Sequence, residues 1–201
     1  GTDYESAIRS SLQTILISPS FLLLTESIRG TESEPYRASD WELASRLSYF
    51  LWASMPDDEL FELAAAGRLR DNNVLKQQVD RMINDPKADT LGTVFASQWL
   101  GSQHLGVRMR LDPIDNPWCT ESLMTAMRDE TSMFFNYLVR QNRPITELIN
   151  ADYTFLNQEL AKLYNIQGVQ GVKMRLVKLE DTKRRGGIFG QGSLLAVTSA
   201  P

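Results

Sequence analysis

The sequence predicts a mainly α fold: a multi-helix, bundle-like domain with at most a small two-stranded β element. Three observations carry this. "SDWE" (Ser39 to Glu42) is a capping box at the head of an apolar-periodic stretch. "PDDELFELAAAG" (Pro56 to Gly67) has proline at its first turn, acids against the helix dipole and a glycine stop. From Thr120 to Gln141, Leu123, Met127, Phe134 and Leu138 recur on one face, with Met124, Thr131 and Phe135 beside them.

The other elements follow in order. Tyr4 to Ile17 places Ile8, Leu12, Ile15 and Leu16 at helical spacing, and Ser18-Pro19 ends it. "FLLLTES" reads equally as strand or helical turn, and Arg29 to Ser39 is a polar loop. The capped helix shows Leu43, Leu47, Phe50, Leu51 and Ser54 on one face and ends at Met55-Pro56. Helices are expected near Asn73 to Asn84 and Lys87 to Leu100, then a turn-rich "DPIDNPW". After Pro144 come short helices at Ile145 to Asn150 and Leu156 to Asn165. "VKMRLVKL" (Val172 to Leu179) begins with strand alternation, and its expected partner is "FLLLT".

Composition bounds the function. The chain has 201 residues, 21 basic and 25 acidic, for a net charge of −4. That balance disfavours nucleic acid or an anionic membrane as partner, since both select a basic footprint. One cysteine, Cys119, and one histidine, His104, are too few for structural zinc, and C-x-x-C-H haem attachment is absent from the chain. No metal site is expected. No apolar run approaches a membrane span, and no signal peptide is visible. His104 and Cys119 lack the companions of a catalytic set, and Trp41, Trp52, Trp99 and Trp118 read as core or interface anchors.

Three constellations stand out. In "RRGGIFGQGSLLAVTS" (Arg184 to Ser199), neither a dinucleotide fingerprint nor a Walker loop is complete. Drawn as a helix, Gly186, Gly190, Ser193 and Val197 form one bare stripe. A helical glycine costs roughly 1 kcal/mol relative to alanine. Close packing against another backbone offsets that, with Gly186 and Gly190 as the contact glycines. An anion site at a helix start with Arg184 and Arg185, or a plain loop, are the alternatives. Second, Arg46 and Glu130 both fall on apolar faces, which predicts a buried charge pair fixing helix register; snorkelling to water and a catalytic role are the alternatives. Third, "NADYTFLN" (Asn150 to Asn157) supplies helix caps and aromatic anchors, and its Asp-Tyr-Asn set also suits sugars. The binding candidates are therefore Asp152, Tyr153, Asn157, Arg184, Arg185 and Gln191. A catalytic residue is not identified.

"WELASRLSYFLWASMPDDEL" (Trp41 to Leu60), Asn150 to Asn157 and Arg184 to Ser199 resemble a family of large modular bacterial proteins abundant in planctomycetes. "ISPSFL" (Ile17 to Leu22) and "FASQWLG" (Phe95 to Gly101) match in the same order. That family combines domains of unknown function with a c-type cytochrome domain. The resemblance implies an exported protein, periplasmic or extracellular. It implies haem c on a separate domain, with no cofactor in this chain, and neighbouring domains, the cytochrome among them, as partners. It implies a helical domain over residues 1–182, with 183–201 as the glycine-rich helical start of a following module. Asn150 departs from the family's usual acid. The function expected is a helical scaffold or interaction domain of a redox protein. The alternative is a carboxylate-based enzyme or binding domain acting on a polysaccharide or other polymer, with Glu130 or Asp152 beside a second acid. A polyanion or sugar binder through Arg184 and Arg185 is a third.

Overall fold

The computed structural model describes residues 3–23, 36–110, 114, 116–180 and 186–199. The helices are α1 (Tyr4–Leu16), α2 (Pro19–Leu22), α3 (Asp40–Trp52), α4 (Asp58–Ala65), α5 (Asn72–Asn84), α6 (Ser97–Trp99), α7 (Glu121–Arg140), α8 (Glu147–Asn150), α9 (Gln158–Leu163) and α10 (Gly192–Thr198). Strands β1 (Tyr153–Leu156) and β2 (Arg175–Lys178) form the sheet. The fold is mainly α, as the sequence predicts.

Local chemistry starts most of these helices. In the capping box, the Ser39 amide donates to Glu42 Oε2 at 2.7 Å and the Glu42 amide to Ser39 Oγ at 3.2 Å. Asp57, Asp71, Thr120 and Asn157 accept backbone N–H groups at the heads of α4, α5, α7 and α9. Gly67, at φ +66°, follows α4 in the left-handed conformation expected of a glycine stop.

A first core joins α3, α4 and α5 around Leu51, Trp52, Leu60, Leu69 and Met82. The Trp52 indole donates to the Met82 carbonyl at 2.9 Å, so its one polar atom is satisfied inside. Trp41, Trp99 and Trp118 are exposed. The buried side of α3 is Ala44, Ser48, Leu51 and Trp52, whereas Phe50 is exposed. The face is rotated from the expected one because α3 approaches its neighbours through small residues.

Further core clusters surround α7, whose expected apolar face is buried throughout. The expected Lys87 to Leu100 helix is instead a 3₁₀ turn (Pro86–Asp89), a π-helix (Leu91–Ala96) and α6. Packing explains the widened turn. A Cβ at Gly92 would lie 2.3 Å from the Ser132 carbonyl oxygen and 2.7 Å from Asn136 Nδ2. Only a bare backbone fits against α7 there.

The strand expected at Val172 to Leu179 forms, shortened to β2, but its partner differs. β1 pairs antiparallel with β2, from Tyr153 opposite Lys178 to Leu156 opposite Arg175. Phe21 and Leu22 lie in α2, while Leu24 and Thr25 fall outside the described residues. α7 covers β1, which is why all four β1 residues are buried.

Candidate functional site

Two arrangements sit on opposite sides of α7. The inner one is a polar seam. Glu130 is 1% exposed, and it accepts from Thr154 Oγ1 at 2.5 Å and from the Tyr164 hydroxyl at 2.6 Å. The Gly192 amide donates to that same Tyr164 oxygen at 2.6 Å. One turn position on, the Thr131 hydroxyl donates to Gln191 Oε1 at 2.7 Å. With that proton committed, the Ser193 hydroxyl, 2.5 Å away, is the donor to Thr131. Gln191 Nε2 is buried with no partner among the described residues.

This seam corrects the buried-pair expectation. Glu130 is inside as predicted, but Arg46 is exposed on α3, so the two do not make a pair buried on both sides. Hydroxyl donors, arriving from β1 and from the turn after α9, meet the carboxylate. The glycine stripe is also corrected. Gln191 is extended, at φ −79° and ψ 140°, so the 3₁₀ turn Ile188–Gly190 and α10 are separate. Gly186 and Gly190 therefore share no helical face with Ser193 and Val197. The close approaches in this segment fall at Gly187 and Gly192. Gly187 has φ +63°, and a Cβ there would lie 2.4 Å from the Leu148 carbonyl oxygen. A Cβ at Gly192 would meet Tyr164 Oη at 3.0 Å. The described part of the expected 183–201 module, residues 186–199, packs against α7 and α8.

The other predicted residues do not converge. Asp152 lies 3.6 Å from Lys178 at the surface. Tyr153 is buried, packs its ring 5.5 Å from that of Phe134, and donates to Glu147 at 2.6 Å. Burial and the neighbouring Glu147 carboxylate raise its phenol well above the ordinary value. Asn157 caps α9, its Oδ1 accepting from the Leu160 amide at 2.9 Å. Gln191, 1% exposed, is closed to any ligand outside. Arg184 and Arg185 lie outside the described residues. Burial raises the Cys119 thiol, with Glu121 adding to it, which makes a poor nucleophile.

The outer side of α7 is a valley. Three adjoining clefts of about 490, 520 and 470 Å³ lie along it, and all three are lined by Asp129. One wall comes from Asp89, Thr93, Ser97, Gln103, Val107 and Arg110, and α7 clamps its start: Arg140 reaches Asp89 Oδ1 at 2.9 Å and the Asp85 carbonyl at 3.1 Å, and Asn136 Nδ2 donates to the Asp89 carbonyl at 3.1 Å. The opposite wall comes from α9, the turn at Gly171 to Met174 and Phe155. Asp129 is exposed, and no donor among the described residues reaches its carboxylate. The walls still remove enough water to raise its carboxyl above the ordinary value, against a smaller opposing pull from Arg128. Sequence reasoning passed over Asp129 because its stripe, Glu121, Thr125 and Asp129, has the pattern of an ordinary solvated helix face. No three acids, histidines or cysteines among the described residues are grouped to hold a metal.

The family model for PSD4, described as a protein of unknown function (DUF1592), matches residues 38–166, more than half of the chain. This chain belongs to the PSD4 family. The matched region runs from the cap of α3 through α9 and includes α7 with every residue lining the second and third clefts. α1, α2, β2 and the glycine-rich segment lie outside it. No curated protein and no solved structure is significantly similar to the chain.

Proposed function

We propose that this PSD4 chain is a helical interaction domain that holds a partner module of the same protein. The observation that carries the reading is an exposed aromatic patch. Phe50, Phe95 and Trp99 are 60%, 42% and 58% exposed, yet their rings touch in a row, with centroids 5.9 Å and 6.2 Å apart. Contiguous exposed aromatics on a soluble surface mark a place where another protein docks. α1 points the same way, since its apolar residues Ile8, Leu12, Ile15 and Leu16 are all exposed.

The partner in this reading is a c-type cytochrome domain, carrying haem c outside this chain, in an exported protein. The motif resemblance of Trp41 to Leu60 and Arg184 to Ser199 supports that partner and that location. Calorimetry between this chain and a haem c domain carrying C-x-x-C-H tests the reading. Binding should weaken roughly tenfold or more in Trp99→Ser. Absence of binding at high concentration would count against the partner, and an unchanged Trp99→Ser affinity against the patch.

A second reading is a carboxylate-based domain acting on a polymer. It loses Glu130, enclosed by hydroxyls, and Asp152, paired with Lys178. Asp129 in the outer valley is the observation that keeps it.

A further inference from the structure

We propose that the valley along α7 binds an extended, electrically neutral polysaccharide, with the Asp129 carboxylate as its central hydrogen-bond acceptor. The inference does not depend on the docking of a partner at the aromatic patch.

Shape comes first. The three clefts share Asp129, the first two also share Glu121, and the last two share Thr93 and Ser132, so they adjoin in a row. Their floor is the outer stripe of a 20-residue helix, about 30 Å long. A row of clefts along such a helix suits a chain of several sugar units rather than one compact molecule.

Charge comes next. The lining carries four acids, Asp89, Glu121, Asp129 and Glu159, against four bases, Arg110, Arg128, Arg140 and Lys162. Most are already engaged. Arg140 holds Asp89 at 2.9 Å, Arg110 and Arg128 flank Glu121 at 3.6 Å and 3.7 Å, and the Thr120 and Ser122 hydroxyls donate to Glu159 at 2.6 Å and 2.7 Å. A valley of zero formal charge with most of its ions paired internally offers little to a polyanion or a polycation. What it offers is neutral hydrogen-bonding groups: Thr125, Gln103, Gln158 and Gln141 line it, with Thr93 as an acceptor, since its proton is given to the Asp89 carbonyl. Those match alcohol groups.

Asp129 completes the argument. It is the acid of the four with no donor among the described residues, at the point common to all three clefts. A carboxylate accepts from two vicinal hydroxyls at once, which satisfies it without adding charge. Beside it the third cleft presents the half-buried Tyr137 ring, set 5.7 Å from Phe155, as an apolar surface for sugar C–H groups.

Affinity electrophoresis of this chain through gels containing xylan, mannan or β-glucan, with heparin and alginate as charged controls, tests the proposal. At least one neutral glycan should retard the chain, and Asp129→Asn should weaken that binding roughly tenfold or more, as expected for loss of a charged acceptor. Thr125→Trp, at an exposed floor position, should block the same binding by filling the first cleft. Each variant is read alongside its thermal midpoint, which should match that of the parent chain. Retardation by none of the neutral glycans, retardation only by the charged ones, or binding that survives both variants would overturn the proposal.

Discussion

The two ends of the molecule are built on different chemistry. The core of α3, α4 and α5 is mainly apolar: Leu51, Trp52, Leu60 and Met82 meet there, and its polar bonds are helix caps, one indole bond, the ion pairs Asp40–Arg70 and Asp57–Arg81 and the Gln78–Glu59 bond. The core where α7 meets β1, α9 and residues 186–199 contains a carboxylate, two tyrosines and a chain of hydroxyls and amides. An apolar core depends on volume and tolerates apolar exchange of similar size. A polar one depends on each donor finding its acceptor, so its failures are larger and more local.

The largest expected effect follows from that difference. Glu130→Ala should cost about 3 kcal/mol or more, because it strands the Thr154 and Tyr164 hydroxyls in the interior and opens a cavity. Urea denaturation measures it. A loss no greater than that of a surface substitution would erase the distinction between the two cores.

Gly92→Ala should come next, at about 2 kcal/mol. Its methyl would lie 2.3 Å from a backbone oxygen of α7, which cannot turn aside as a side chain can. The thermal midpoint should drop accordingly, and an unchanged midpoint would show that the π-helix does not set the distance between the two halves.

The smallest effect belongs to the mainly apolar end. Burial pulls the Asp57 carboxyl up, but the Arg81 guanidinium and the Leu60 amide outweigh this and leave it below its ordinary value. Arg81 reaches both carboxylate oxygens, at 2.6 Å and 3.1 Å. A carboxyl held low in the folded state stabilises the fold above its unfolded pKa, and that contribution disappears as pH falls through the folded value. Arg81→Gln should therefore cost about 1 kcal/mol near neutral pH, and the gap to the parent chain should narrow in acid. Urea midpoints across the acid range check this; a gap constant with pH would assign the loss to packing of Arg81 over the Trp52 ring, 5.4 Å from its centroid.

Legibility differed between the ends for the same reason. Ser39 with Glu42, the acids after Pro56 and Thr120 act on backbone groups three residues away, so their consequences are visible in a local stretch. Helical phase alone also placed Glu130 inside. It could not name the partners, because Thr154 and Tyr164 are 24 and 34 residues away. Phase misjudged α3 by choosing its large apolar residues over Ala44 and Ser48. It saw no strand in "YTFL" because β1 is buried throughout and shows no alternation. Asp129 was unremarkable until walls distant in sequence enclosed it.

By itself, then, the sequence determined the helical character of this protein, the heads of most helices and the buried face of α7, since caps and periodicity act within a few residues. Only the tertiary structure decided which strands pair, why residues 91–96 widen into a π-helix, which hydroxyls meet Glu130 and that Asp129 is left without a donor in a valley. Those outcomes depend on bringing together groups tens of residues apart, and no local pattern encodes which of them will meet.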